Sequence, residues 1–140
     1  MKKTLYLFFI ISLLFTVSAY ANDYNYVSKD KFKSWLESGN DILICDIQPQ
    51  KNFEKHHFKN AMETNAYPAK TEKDLKKLKK VVKKYKKTGK KIAIICPRGG
   101  GGAKRTYDHL KSRNIPEAML VILEGGAEGW PYEELVVKKQ

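Results

Sequence analysis

Lys91-Ile92-Ala93-Ile94-Ile95-Cys96-Pro97-Arg98-Gly99-Gly100-Gly101-Gly102 changes character at its midpoint. The first half is apolar at consecutive positions, the pattern of a strand covered on both faces in a parallel sheet. The second half is a glycine run opening a helix, with Ala103, Tyr107 and Leu110 on its inner face. Two other runs match the first half: Asp41 to Ile47, which breaks at Asp46 and Pro49, and Met119 to Leu123 behind Pro116. Helical patterns alternate with these runs. Ser28 caps one that carries Phe32, Trp35 and Leu36 and stops at Gly39. Thr71 and Asp74 form a capping pair for another, whose Leu75, Leu78, Val82 and Tyr85 recur at helical spacing up to Gly89. Tyr24 to Val27 reads as a short strand, Phe53 to His57 as a helical turn, and Gly125-Gly126 leads to a last turn bearing Trp130. Alternation of this kind predicts a three-layer α/β domain, a central parallel sheet flanked by helices.

The 140 residues hold one ordinary domain, and at 42% hydrophobic they can bury a core. Two cysteines make neither a stapled mini-protein nor a four-thiolate zinc site. Lys2 and Lys3 precede a nearly unbroken apolar run, Leu5 to Val17, and Ala19-Tyr20-Ala21 follows with small residues at the positions a signal peptidase reads. As a helix that run spans about 20 Å, short of the ~30 Å hydrocarbon core. Residues 1–21 are therefore expected to be a signal peptide and 22–140 the domain, periplasmic or extracellular, with no stable membrane span after cleavage. No cysteine follows the run, which excludes a lipoprotein.

The net charge of +12 is localised. Lys70 to Lys91 holds 12 lysines against Glu72 and Asp74, and outside that segment and the leader the signs balance. A solvated helix face with snorkelling lysines accounts for such a run. Docking of an acidic partner protein, attraction of sulfur anions, or contact with an anionic membrane are the functional readings, and nucleic acid is disfavoured in an exported chain.

Ligands in open α/β sheets sit beyond the carboxyl ends of the strands, where Cys96 stands. Glycines after it let backbone N–H groups converge, and a helix N-terminus adds partial positive charge, so a thiolate is favoured there. The expected site is a nucleophilic, water-reachable Cys96 ringed by the amides of Gly99, Gly100, Gly101 and Gly102. A buried structural cysteine is the bland alternative.

The chain resembles the rhodanese family of sulfurtransferases, and the likeness extends over nearly all of 22–140. The family's Asp-Val-Arg corresponds to Asp46-Ile47-Gln48, and its Gly-His-Ile-Pro-Gly-Ala to His56-His57-Phe58-Lys59-Asn60-Ala61. Its cysteine-headed loop, with glycine fourth, corresponds to Cys96 through Gly101, and its Gly-Gly-x-x-x-Trp ending to Gly125 through Trp130. The resemblance implies sulfur transfer from thiosulfate or polysulfide, through a Cys96 persulfide, to a thiol or cyanide acceptor. It requires no cofactor or metal. Asp46 and His57 are implied as loop-supporting residues.

Two departures qualify the match. The sixth loop place, often basic or hydroxyl-bearing, is Gly101, which throws recognition of an anionic donor onto amides, Arg98, Lys104 or Arg105, with Arg98 the expected substrate reader, and predicts a widened pocket that admits bulky donors. Gln48 and Asn52 replace a family arginine and glutamate, and an amide–amide hydrogen bond is expected in place of an ion pair. Cys45 lies on a neighbouring strand, so a Cys45–Cys96 disulfide is an alternative, with a thiol–disulfide enzyme as its consequence. His56-His57 lacks nearby partners for a metal. A cysteine phosphatase is disfavoured, because Gly102 stands where its loop arginine would be. The competing function is a catalytically quiet module that docks an acidic or redox partner through the lysine-rich helix.

Overall fold

The structure, a computed structural model, describes residues 23–139, so the expected signal peptide lies outside the described residues. Five strands form one wholly parallel sheet: β1 (Tyr26–Val27), β2 (Leu43–Asp46), β4 (Met62–Glu63), β5 (Ile92–Ile95) and β6 (Leu120–Leu123), in the order β1-β6-β5-β2-β4. A separate antiparallel pair joins β3 (His57–Phe58) to β7 (Val136–Val137). β2, β5 and β6 are buried at every position, as their continuous apolar patterns predict.

Five helices flank the sheet: α1 (Lys29–Glu37), α2 (Gln50–Lys55), α3 (Glu72–Lys76), α4 (Lys79–Thr88) and α5 (Gly101–Ser112). On one face Leu43, Cys45, Ile92, Ile94 and Cys96 pack against Leu78 and Val81 and against Ala103, Tyr107 and Leu110 of α5. On the other, Ile44, Ala93 and Ile95 meet Phe32 of α1, Phe58 and Trp130. Those three rings stand edge to face, with centroids 4.9 to 5.7 Å apart. No described helix is long and apolar enough to cross a membrane.

Ser28 and Thr71 cap as expected: Ser28 Oγ accepts from Lys31 N, and Thr71 and Asp74 complete a reciprocal capping box. The lysine-rich helix, however, is two helices. At Lys77–Leu78 the amides reach back only three residues, to Asp74 and Leu75, and this tighter turn re-aims the chain. The break buries Leu78 and Val81 completely. Leu78→Ala is expected to cost about 2–5 kcal/mol of unfolding free energy, measured by urea denaturation.

Candidate functional site

β5 is the middle strand of the sheet and delivers Cys96 at its carboxyl end, before α5 begins at Gly101. The loop between them is pinned at Gly99. That residue has φ +72°, its N–H donates to Cys96 Sγ at 2.9 Å, and its carbonyl accepts from the Tyr26 hydroxyl at 3.1 Å. Glycine is required here, since a Cβ would stand 2.8 Å from the Leu123 carbonyl oxygen.

The Gly125–Gly126 turn closes on the same loop. Ala127 N–H donates to the Cys96 carbonyl and Glu128 N–H to that of Pro97, both at 2.9 Å. A Cβ on Gly126, whose φ is +62°, would lie 2.3 Å from the Cys96 carbonyl oxygen. The two glycine turns therefore meet backbone on backbone.

Two expectations about the sulfur need correction. Cys96 is only 2% exposed, not water-reachable, because it lies in the packed layer with Ile47, Ala103 and Tyr107. Among the described residues, Gly99 alone supplies an amide within hydrogen-bonding distance of it. Gly100 borders open space, and Gly102 is buried against Tyr67, whose ring leaves no room for a Cβ.

Gly101 does not widen a pocket either. A Cβ there would lie 3.0 Å from Nη1 of Arg105, one helical turn on. The guanidinium is steadied by Nε and Nη2, which donate to the Pro68 carbonyl at 3.0 and 2.9 Å. Arg105 thus fills the space that Gly101 leaves. Arg98 is exposed at the loop's surface, and the Lys104 ammonium sits 5.4 Å over the Tyr24 ring.

Tyr26 has no counterpart in the sequence expectations. Burial, and then the neighbouring Cys96, hold its phenol above the usual value. An exposed tyrosine on a two-residue edge strand gives no local hint of a contact 73 positions away.

Asp46 and His57 sit beside the site rather than in its loop. The fully buried Asp46 carboxylate accepts from Gln48 N at 2.9 Å and Gln48 Nε2 at 3.0 Å. Gln48 Nε2 also donates to the His56 carbonyl, so the expected Gln48–Asn52 bond gives way to one with a buried carboxylate. His57 stacks on Phe53 at 3.9 Å and its Nδ1 lies 2.6 Å from the Phe53 carbonyl oxygen. Both cysteines are free. They share a sheet face, so register separates them rather than alternation. Cys45 is opposite Ile94, which leaves Cys96 two residues further on and about 8 Å away, past the ~7 Å reach of a disulfide. Complete burial pushes the Cys45 thiol up and keeps it un-ionised.

Burial also pushes Asp46 up, from 3.8 to about 7, against the opposing Gln48 hydrogen bonds and with a lesser contribution from Glu63. Below the ordinary value both folded and unfolded chains hold the proton. As the pH rises toward 7 the unfolded chain ionises first, so stability falls across that window and levels off above it. Asp46→Asn is expected to flatten this slope, measured by urea denaturation at a series of pH values.

Comparison with known proteins agrees with this architecture. The family model described as Rhodanese-like domain matches residues 28–133. A rhodanese-like domain protein from Staphylococcus aureus superposes with a TM-score of 0.62 at 20% identity, covering 83% of this chain and 99% of that one. The As–Sb reductase from Leishmania major gives 0.64 at 16% identity, covering 84% and 88%. A thiosulfate sulfurtransferase from Pseudomonas aeruginosa gives 0.61 at 15% identity, covering 84% of this chain but 20% of its own. No curated protein sequence matches. With its parallel sheet, its cysteine loop and a family match over most of its length, the chain belongs to the rhodanese-like domain family.

Proposed function

We propose that the protein is an exported sulfurtransferase that carries sulfane sulfur on Cys96. The single observation behind this reading is the 2.9 Å contact from Gly99 N–H to Cys96 Sγ at the carboxyl end of the central strand. An amide donor there favours sulfur that bears negative charge, which the thiolate and the persulfide both do. The leader pattern at residues 1–21 supports export to an oxidising compartment.

The reaction balances without a cofactor. Once the loop opens, Cys96 loses its proton to solvent, and the thiolate attacks the outer sulfur of thiosulfate. The sulfur–sulfur bond of the donor breaks, and sulfite leaves with the electron pair. A polysulfide donor leaves one sulfur shorter. An acceptor thiolate or cyanide then attacks the outer persulfide sulfur, and Cys96 leaves as thiolate. Because Cys96 is nearly closed off, donor entry requires the loop to move, and the open side at Gly100 offers the approach. Arg105 supplies the positive charge for an anionic donor, with a guanidinium whose Nη1 takes no part in holding Pro68. The near-complete burial of Cys96 is also what favours the second reading, a quiet module that docks an acidic or redox partner.

Intact mass after incubation with thiosulfate or polysulfide separates the two. The transferase reading expects a gain of one sulfur in the wild type and in Cys45→Ser, and none in Cys96→Ser. No gain in the wild type with either donor selects the quiet module. Arg105→Gln keeps an amide for the Pro68 carbonyl while deleting the charge. It is expected to raise the KM for thiosulfate about tenfold, the worth of one charge-assisted contact, and to leave that for a neutral organic trisulfide unchanged. Steady-state rates with the two donors give both values.

A further inference from the structure

The lysine-rich segment carries more than diffuse charge. Where α3, the start of α4 and the last turn of α5 converge, they leave a groove of about 390 Å³. Half-buried Leu75 and buried Val82 supply its apolar surface. Lys76, Lys79, His109 and Arg113 line it with nitrogen, and Glu72 is its one acidic lining residue. Among the described residues, none of Lys76, Lys79 and Arg113 lies within ion-pair distance of a carboxylate.

Three other lysines of the segment are occupied. Lys90 pairs with Asp41 at 2.6 Å, Lys77 donates to the Asn65 carbonyl at 2.8 Å, and Lys80 to that of Glu63. Lys76, Lys79 and Arg113 thus set three cations without a carboxylate partner around one apolar recess. The helix break at Lys77–Leu78 helps build the recess, since it turns Leu78 and Val81 inward and leaves Leu75 at the groove.

We infer that this groove binds an acidic peptide segment of a partner protein, with an apolar side chain seated on Leu75 and Val82 between carboxylates held by Lys76, Lys79 and Arg113. Charge complementarity selects the occupant: the segment from Lys70 to Lys91 has 12 lysines against two carboxylates. The recess selects a peptide over a flat polyanion or a membrane surface, because its size suits one or two side chains rather than a planar array of headgroups. His109 lies eight residues down α5 from Gly101, about 12 Å along the helix axis, so a docked segment leaves the Cys96 loop uncovered. The inference holds whether or not Cys96 carries sulfur.

The test is fluorescence anisotropy on the purified protein, with a labelled twelve-residue Glu-rich peptide that carries two leucines. Its probes for comparison are a twin with serine at the leucine positions and phosphatidylglycerol vesicles. K76E/K79E reverses two of the groove's three cations. K84E/K87E makes the same charge change on α4 at two lysines that do not line the groove. The expected result is a loss of at least about tenfold for K76E/K79E, less than about threefold for K84E/K87E, and several-fold weaker binding of the serine twin. Equal losses from the two pairs, equal affinity for the two peptides, or tighter binding to the vesicles than to the leucine peptide would each overturn it.

Discussion

Two glycine turns pressed together decide the shape of the Cys96 loop. Gly126 approaches so closely that no side chain fits between it and the Cys96 carbonyl, and the next two amides donate to Cys96 and Pro97. Two buried backbone hydrogen bonds satisfy carbonyls that would otherwise lie unpaired at the end of a strand. With those carbonyls fixed, Gly99 can take a positive φ and aim its amide at the sulfur. Tyr26 then holds the far side of the same residue. The position of the one amide aimed at the sulfur is thus set by main-chain contacts and one phenol.

The Asp46 environment rests on a different compensation. A buried carboxylate is costly unless hydrogen bonds or a cation offset the lost hydration. Here Gln48 offers two neutral donors and no positive charge, so the carboxyl is shifted toward its protonated form rather than held ionised. The substitution of an amide where family members often have arginine changes the electrostatics of the strand end without leaving a donor unsatisfied.

Much of the architecture was legible because the three long strands read as nearly continuous apolar runs and α1 and α3 begin with capping side chains. β4 was not: Met62–Glu63 has no pattern of its own and is a strand only because Cys45 and Asp46 offer it an edge. The β3–β7 pair was hidden for the same reason, each strand being two residues long with its partner about 80 positions away. At the site, Cys96 and the glycines were readable from composition and order. The burial of the sulfur was not, since it depends on how Ile47 and α5 pack over it. Arg105 left a usable trace in the i, i+4 spacing from Gly101, which puts the two on one helix face. Its hold on Pro68, by contrast, depends on a segment 37 residues earlier.

The strand order also bears on synthesis. Among the described residues β1 is the earliest strand and pairs only with β6, so Tyr26 waits for Ile122 before it has a strand partner. The central strand likewise gains its second flank only with Leu120 to Ile122. A nascent chain of this topology keeps its sheet open until β6 has emerged, since its non-local pairings come last. The sheet closes only once β6 is available, and the cysteine loop takes its form in the same closing step.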